Sequence, residues 1–347
     1  MAEIQVRQLT AEENLIAPES LSLAATFTAL DAWTRLVQEI YAYDVYRFVA
    51  REENLTVGIL ALTHVRHPIF GNYLGTAPFG SFGGFAFSSV EARDALLAEG
   101  KKLADEIKVE YVVVRFIEES NIAHAPWVGH PLYSSYQVDI SADAEEMMRG
   151  FGPQHRKHTR QSLRKGFQVR FGHLDLLEET YEAMARSMHK LGSPYHSKYY
   201  LRRMAELLGG TVEFVVVKDA RDVLAGTAVV IYQGATATTL HANILPEFRN
   251  EYAGECLYWS MLEHCAQKEI RVCDFGRSLN DSGNAQYKMK WNPRKVPLAY
   301  WYYLPKGGPI PELNQKSPKF QFAIWVWKHL PAFVVRLLGP RLIKGII

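Results

Sequence analysis

The sequence predicts an α/β protein of two units, each a mixed sheet flanked by helices, on three observations. Hydrophobic patterning switches repeatedly between the period of two that marks a strand and the 3.6 that marks a helix. Strand pairs followed by a crossover helix and a further strand occur in both halves. The 347 residues, 48% of them hydrophobic, are also more than one core of ordinary size holds.

In chain order, the first half reads as a helical pattern near 20–41, strands at 46–51 and 56–64, a helix over 89–107 and an apolar strand at 111–116. Residues 71–87 interleave Gly71, Gly75, Gly80, Gly83 and Gly84 with Phe and Tyr. Such a run either joins strands or lets backbone N–H groups approach a ligand, and it lacks GxGxxG and P-loop spacing. The second half reads as a strand at 137–140, a helix at 153–165, a strand at 167–171 and helices at 176–191 and 198–208. Strands at 211–218, 223–232 and 236–244, a helix at 253–267 and a strand at 272–275 complete it. The expected domains are 1–143 and 144–305, followed by a linker and tail over 306–347. No internal repeat is visible residue by residue.

Within that last segment, 306–313 is rich in Gly and Pro and reads as a linker. Residues 320–347 combine Trp325, Trp327 and Phe333 with Lys328, Arg336, Arg341 and Lys344 and contain no acidic residue. Pro331 and Gly339-Pro340 divide any helix there, which excludes a membrane span. The segment is either an interfacial, membrane-touching tail or a clamp docked on the protein.

A formal charge of +2 excludes nucleic-acid binding driven by net charge, so basic function must come from local clusters. The N-terminus has no secretory pattern, and the expected location is the cytoplasm, with peripheral contact to the inner membrane through the tail. Cys256, Cys265 and Cys273 form no CxxC pair and read as buried free thiols, and no metal site is expected.

The chemistry concentrates in 272–291. Gly276 permits close backbone approach, Arg277 offers a planar fork, and Ser278, Lys288 and Lys290 add donors and charge, a composition suited to an anionic, partly planar ligand. The plain alternative is a hairpin with core aromatics and solvated lysines. Arg156, Arg160 and Arg164, four apart, form a helical stripe that with Lys165 suits phosphates of a carrier or tRNA, or is simply a solvated face. Residues 241–254 leave a strand and enter a helix, placing Arg249, Asn250 and Gly254 where an anion would meet a helix N-terminus. Acid–base candidates are His241, Asp274 and Tyr287, with His189 and Tyr195 further off, and Tyr195, Asn243 and Trp291 are assigned to the acceptor. No GxSxG elbow or HExxH is present, which leaves hydrolase triads and zinc proteases without support.

Several ordered motifs, spread over 154–343, carry a resemblance: Leu163-Arg164-Lys165-Gly166, Lys190-Leu191-Gly192-Ser193-Pro194-Tyr195, Leu257-Tyr258-Trp259, Asp274-Phe275-Gly276-Arg277-Ser278, Tyr287-Lys288-Met289-Lys290-Trp291, Trp327-Lys328-His329-Leu330-Pro331 and Leu338-Gly339-Pro340. In these the second half resembles the FemAB-like branch of the GNAT acyltransferases, and within it the FemAB-related proteins of exosortase (PEP-CTERM) and exopolysaccharide systems. The resemblance implies tandem GNAT-like domains and an acyltransferase that moves an acyl or aminoacyl group from a thioester or ester onto an amine or hydroxyl. The acceptor would be a small or lipid-linked envelope or exopolysaccharide precursor. No permanently bound cofactor is implied; acyl-CoA, an acyl carrier protein thioester or aminoacyl-tRNA would be the donor. The chain departs from the pattern at Tyr287, where the family usually has Phe, at Asn292, where Gly usually follows Trp, and at Arg249 to Gly254, where the pyrophosphate signature is displaced. That last departure puts acetyl-CoA in question and favours the alternative, a degenerate pair of GNAT-like domains that binds or scaffolds without catalysis.

Overall fold

The structure, a computed structural model, describes residues 3–117, 125–311 and 318–347. Its elements in chain order are β1 (Ile4–Gln8), α1 (Glu19–Ala25), α2 (Asp31–Tyr41), β2 (Asp44–Glu52), β3 (Leu55–His67), β4 (Gly71–Gly75), β5 (Phe85–Phe87), α3 (Val90–Ile107), β6 (Tyr111–Ile117) and β7 (Trp127–Gly129). There follow β8 (Tyr133–Asp139), α4 (Ala144–Gly150), α5 (Pro153–Leu163), β9 (Gln168–Gly172), α6 (Leu177–Leu191), α7 (Lys198–Leu208), β10 (Val212–Lys218), β11 (Leu224–Gln233) and β12 (Thr236–Ile244). The chain ends through α8 (Ala253–Gln267), β13 (Val272–Leu279), α9 (Gly283–Met289), β14 (Arg294–Tyr303), α10 (Pro318–His329) and α11 (Ala332–Ile343).

These elements form two compact units, and neither is contiguous. The first comprises Met1–Ser134, Val296–Glu312 and Lys344–Ile347; the second comprises Ser135–Lys295 and Leu313–Ile343. The division thus falls within β8, between Ser134 and Ser135, not near residue 143, and the tail is shared between the units. Residues 312 and 313 of the expected linker lie outside the described residues.

Both units follow one plan. In the first, β1 to β4 pair antiparallel in sequence order, α3 crosses over, and β6 returns parallel to β4. In the second, β9 to β12 pair antiparallel, α8 crosses over, and β13 returns parallel to β12. Each first-to-second-strand connection holds two helices, α1–α2 and α6–α7. A sixth strand flanks the parallel one: β14 beside β6 and β8 beside β13. The duplication that the residues conceal is therefore present in topology.

The glycine-rich run does not form an open ligand loop. Its ends are β4 and β5, and a Cβ on Gly80 would meet Thr28 Cγ2 at 2.5 Å, so glycine is there to let the 26–28 turn pack closely. The helix read over 20–41 is broken into α1 and α2 by that same turn, where Thr26 takes a left-handed φ of 54°. The three cysteines are buried free thiols. Among the described residues no helix is long and apolar enough to cross a membrane.

Candidate functional site

The second unit's sheet opens where β12 and β13 part. They pair only through Thr236↔Val272, Ala237↔Cys273 and Thr238↔Asp274. Just beyond, β12 bulges: Val230 opposes Thr239 and Val229 opposes His241, which leaves Leu240 opposite no residue of β11. One extra residue resets the alternation of side chains. Ala237 below the bulge and Ala242 and Ile244 above it therefore all pack into the core against α8, and His241 and Asn243 face the other way, toward α6.

On that α6 face the site is polar and buried. Asn243 Nδ2 donates to Ser187 Oγ at 3.1 Å, so the amide is spent on positioning α6 and is not presented to an acceptor as expected. The His241 ring lies 6.0 Å, centroid to centroid, from Tyr195 and 5.8 Å from His196, which stacks on Tyr200 at 4.0 Å. Burial pushes the His241 pKa down to about 4, so the ring is neutral at pH 7, and its Nε2 is buried without a hydrogen-bond partner. Burial, then the neighbouring His241, pushes His196 well below its ordinary value. Tyr195 donates its hydroxyl to Met184 Sδ at 2.8 Å and is no base.

Tyr195 and His196 line a small groove that opens to solvent. Its walls are α6, through Tyr181, Arg186 and His189, the irregular 193–196 segment, and α11, through Val335 and Arg336. Trp327 of α10 donates its indole N–H to Ser193 O at 3.2 Å, and Arg336 pairs with Glu182 at 2.5 Å, which fixes both terminal helices against α6. Gly339 lies so close to Tyr195 that a Cβ would stand 2.9 Å from its carbonyl oxygen. The tail is thus a clamp in part, and it builds one wall of the groove.

The opposite face, at the α8 N-terminus, is filled. A Cβ on Gly254 would meet Tyr287 Oη at 2.9 Å, so α9 brings its phenol onto the first turn of α8. That phenol is buried, its pKa raised chiefly by burial and then by Glu255. The Trp291 indole is close enough to favour the phenolate, yet neither group meets hydrogen-bond geometry. Tyr252, which caps α8 at a left-handed φ of 63°, stacks on His158 at 4.4 Å, and Lys165 is paired with Glu251. Glu255, buried in the same turn, has a raised pKa because burial disfavours its charge.

Several sequence-based assignments are corrected here. Trp291 is fully buried, edge-on to His155 at 4.4 Å and Phe151 at 5.3 Å, and belongs to the core, not to an acceptor site. Residues 283–289 are helical, not half of a hairpin, because Ser282 caps them by accepting from the Ala285 N–H. Lys288 is buried and donates to the carbonyls of Gly276 at 2.9 Å and Arg277 at 3.0 Å, so its contacts are to backbone. Asp274 is buried and accepts from Ser135 Oγ, Gln137 Nε2 and the Gly276 N–H, a donor set that marks a structural carboxylate bracing β13 against β8. Ser278 is buried and Arg277 half-buried on β13, and Lys290 lies exposed over the Tyr287 ring at 5.6 Å. Arg249 and Asn250 are exposed on a turn before α8, and the arginine stripe is partly spent: Arg156 donates to Arg149 O and Arg160 pairs with Glu145. Arg164, at the end of α5, is exposed. His196 was not singled out from the sequence; its place beside Tyr195, in a segment already marked as a motif, was the available signal. Among the described residues no group of His, Cys, Asp and Glu could hold a metal ion.

Residues 153–289 match the family described as the acetyltransferase (GNAT) domain. No curated protein matches the chain by sequence. Among solved structures, FemX is 15% identical over 87% of this chain and 95% of its own, with a TM-score of 0.66. A tandem GNAT protein from the clavulanic acid biosynthesis pathway is 15% identical over 89% of this chain and 100% of its own, at 0.55. L-PGS from Bacillus licheniformis is 12% identical over 82% and 86%, at 0.52. The chain therefore has a tandem GNAT-like α/β fold, the architecture expected from its sequence.

Proposed function

We propose that the second unit transfers an acyl or aminoacyl group to an amine or hydroxyl of an acceptor seated in the groove between α6, residues 193–196 and α11. The observation that carries this reading is the imidazole pair: buried His196 lines the groove, and half-buried His241, with its Nε2 buried, stands behind it on β12, one residue past the bulge. A neutral imidazole has a lone pair free for the proton of an attacking amine or hydroxyl. The burial that keeps it neutral also makes it a weaker base than a free histidine, so it takes that proton as the tetrahedral adduct forms and not from the resting acceptor. In the proposed step the acceptor attacks the donor carbonyl, its proton passes to His196, and the tetrahedral oxyanion is held by backbone N–H at the bulge, where Leu240 faces no partner residue on β11. As the oxyanion collapses, the bond from the carbonyl carbon to the donor sulfur or oxygen breaks. A thiolate leaves as such, and a ribose oxygen takes the proton back from the His196 imidazolium, with no covalent enzyme intermediate.

The filled α8 N-terminus supports a donor that is not held through a pyrophosphate there, because Tyr287 occupies the approach and Glu255 adds a buried carboxyl. Aminoacyl-tRNA and a carrier-protein thioester satisfy that condition more readily than free acyl-CoA. An envelope or exopolysaccharide precursor as acceptor follows from the motif resemblance. Incubation with each donor class and a panel of small amines, read by mass, tests the proposal. Transfer from at least one donor, lost in His196→Phe with the fold intact, is the expected result; full activity in that variant removes the imidazole from the mechanism. The same filled turn favours a second reading, a non-catalytic binding module, which predicts ligand retention without any mass increment.

A further inference from the structure

The two terminal helices present a second face, away from the groove they wall. On α10, Phe322 and Trp325 are 65% and 57% exposed and stack on each other with centroids 6.1 Å apart. On α11, Phe333 and Leu337, one turn apart, are 73% and 61% exposed. Four large apolar side chains in water on two short helices are not needed for docking, which Trp327, Val335 and Gly339 already achieve from the inner side. From Pro318 to Ile343 the chain carries Lys319, Lys328, Arg336 and Arg341 and no carboxylate.

We propose that the α10–α11 pair seats the protein on an anionic lipid surface, with Phe322, Trp325, Phe333 and Leu337 entering the interface. Charge complementarity decides among occupants. Arg336 is already paired with Glu182; a second copy of this segment would set the exposed Lys328 and Arg341 against like charges, whereas phospholipid headgroups of negative charge neutralise them. Each helix is 12 residues, about 18 Å long, too short to cross and long enough to lie in the headgroup region. Trp beside Phe at the surface suits that depth, since the ring is amphipathic. Because Val335 and Arg336 line the groove from the same helix, a lipid-linked acceptor would reach it from the surface on which the helices rest. This last step rests on the acceptor reading above; the seat itself does not.

Flotation of the full chain with vesicles of phosphatidylcholine alone, or mixed with phosphatidylglycerol, tests the seat. The expected result is binding to the mixed vesicles only, weakened by salt, with Trp fluorescence shifted to the blue. Phe322→Ser with Trp325→Ser, and Phe333→Ser with Leu337→Ser, should each weaken binding on the order of ten-fold or more with unchanged melting, because all four side chains are exposed. Absence of flotation at low salt, or equal flotation of the paired variants, overturns the proposal. Self-association that these variants abolish, with no vesicle binding, overturns it in favour of a second copy. Since flotation is read without turnover, and transfer to a soluble amine needs no membrane, loss of one result leaves the other standing.

Discussion

Replacing Gly339 by alanine puts the terminal clamp and the groove under one test. The added Cβ would stand 2.9 Å from Tyr195 O, 3.2 Å from Tyr195 N and 3.8 Å from Tyr195 C. All three are backbone atoms, so no side-chain rotation relieves the clash. Overpacking of this kind costs about 1–3 kcal/mol. Against it stands the gain of alanine over glycine within a helix, about 1 kcal/mol, since Gly339 lies inside α11. The clash wins by about 1 kcal/mol, which for a unit of this size lowers Tm by roughly 2–4 °C. The larger consequence is geometric: α11 must lift from residues 193–196, carrying Val335 and Arg336 away from Tyr195 and His196. Acceptor KM should therefore rise with a smaller change in kcat. Gly283→Ala is the control, because it also sits in a helix, with nothing within 4 Å of its Cβ position. Thermal melting and steady-state kinetics on both variants decide the matter. If Gly339→Ala melts at or above the wild-type temperature with an unchanged KM, α11 does not pack on Tyr195 as described.

Acidification should destabilise the protein from about pH 6.5 toward 4, because His155 and His241 both have folded pKa values of about 4 and the unfolded chain takes up protons first. His155→Phe should flatten part of that loss in urea titrations, and it also removes two buried ring nitrogens without partners; an unchanged pH slope would show that His155 is not buried neutral. In the alkaline range Lys288, its pKa lowered to about 8 by burial, makes stability rise from about pH 8 as the buried ammonium is relieved. Lys288→Met should abolish that rise, and its persistence would assign it to another group. Tyr287→Leu should uncover the α8 N-terminus and strengthen CoA binding in calorimetry, with melting as the control for packing; tight CoA binding by the wild type would show that the turn is not closed.

Local signals carried most of the fold. The 236–244 strand and the helices at 198–208 and 253–267 have the bounds that periodicity indicated, since each is long, periodic and capped or bounded by turn residues. Part of β8 is read from the sequence as the strand at 137–140, but the place of the sixth strands in the sheets is not legible. Each unit's sixth strand lies far in sequence from the strand it flanks, and such pairing leaves no local trace. Helix α9 was hidden because seven residues beginning with Gly283 give less than two turns of pattern, and its Tyr287 and Lys288 read equally as a strand. At the site, residue type located His241 and Tyr195, but their roles depend on the Leu240 bulge, which decides that His241 faces α6 and Ala242 the core. Nothing in the sequence marks a single extra residue in a strand. Trp291, by contrast, was misassigned because an aromatic beside lysines looks the same in a core as at a ligand.

The parting of β12 and β13 leaves two unequal faces, and their inequality constrains the order of events in the proposed transfer. On the α8 face the gap is packed by Ala242, Ile244, Tyr287 and Phe275, so a water molecule there would find few polar partners. On the α6 face the gap meets two neutral imidazoles and a groove open to solvent. An activated ester or thioester exposed on the second face would be open to hydrolysis by water taking the acceptor's place before His196. Filling the groove with acceptor removes that water, and the same acceptor supplies the nucleophile. The acceptor should therefore bind before the donor carbonyl reaches Leu240. In product-inhibition kinetics this order makes the donor-derived leaving group depart first, whereas hydrolysis of the donor at the same rate with and without acceptor would show that the groove does not control access to the bulge.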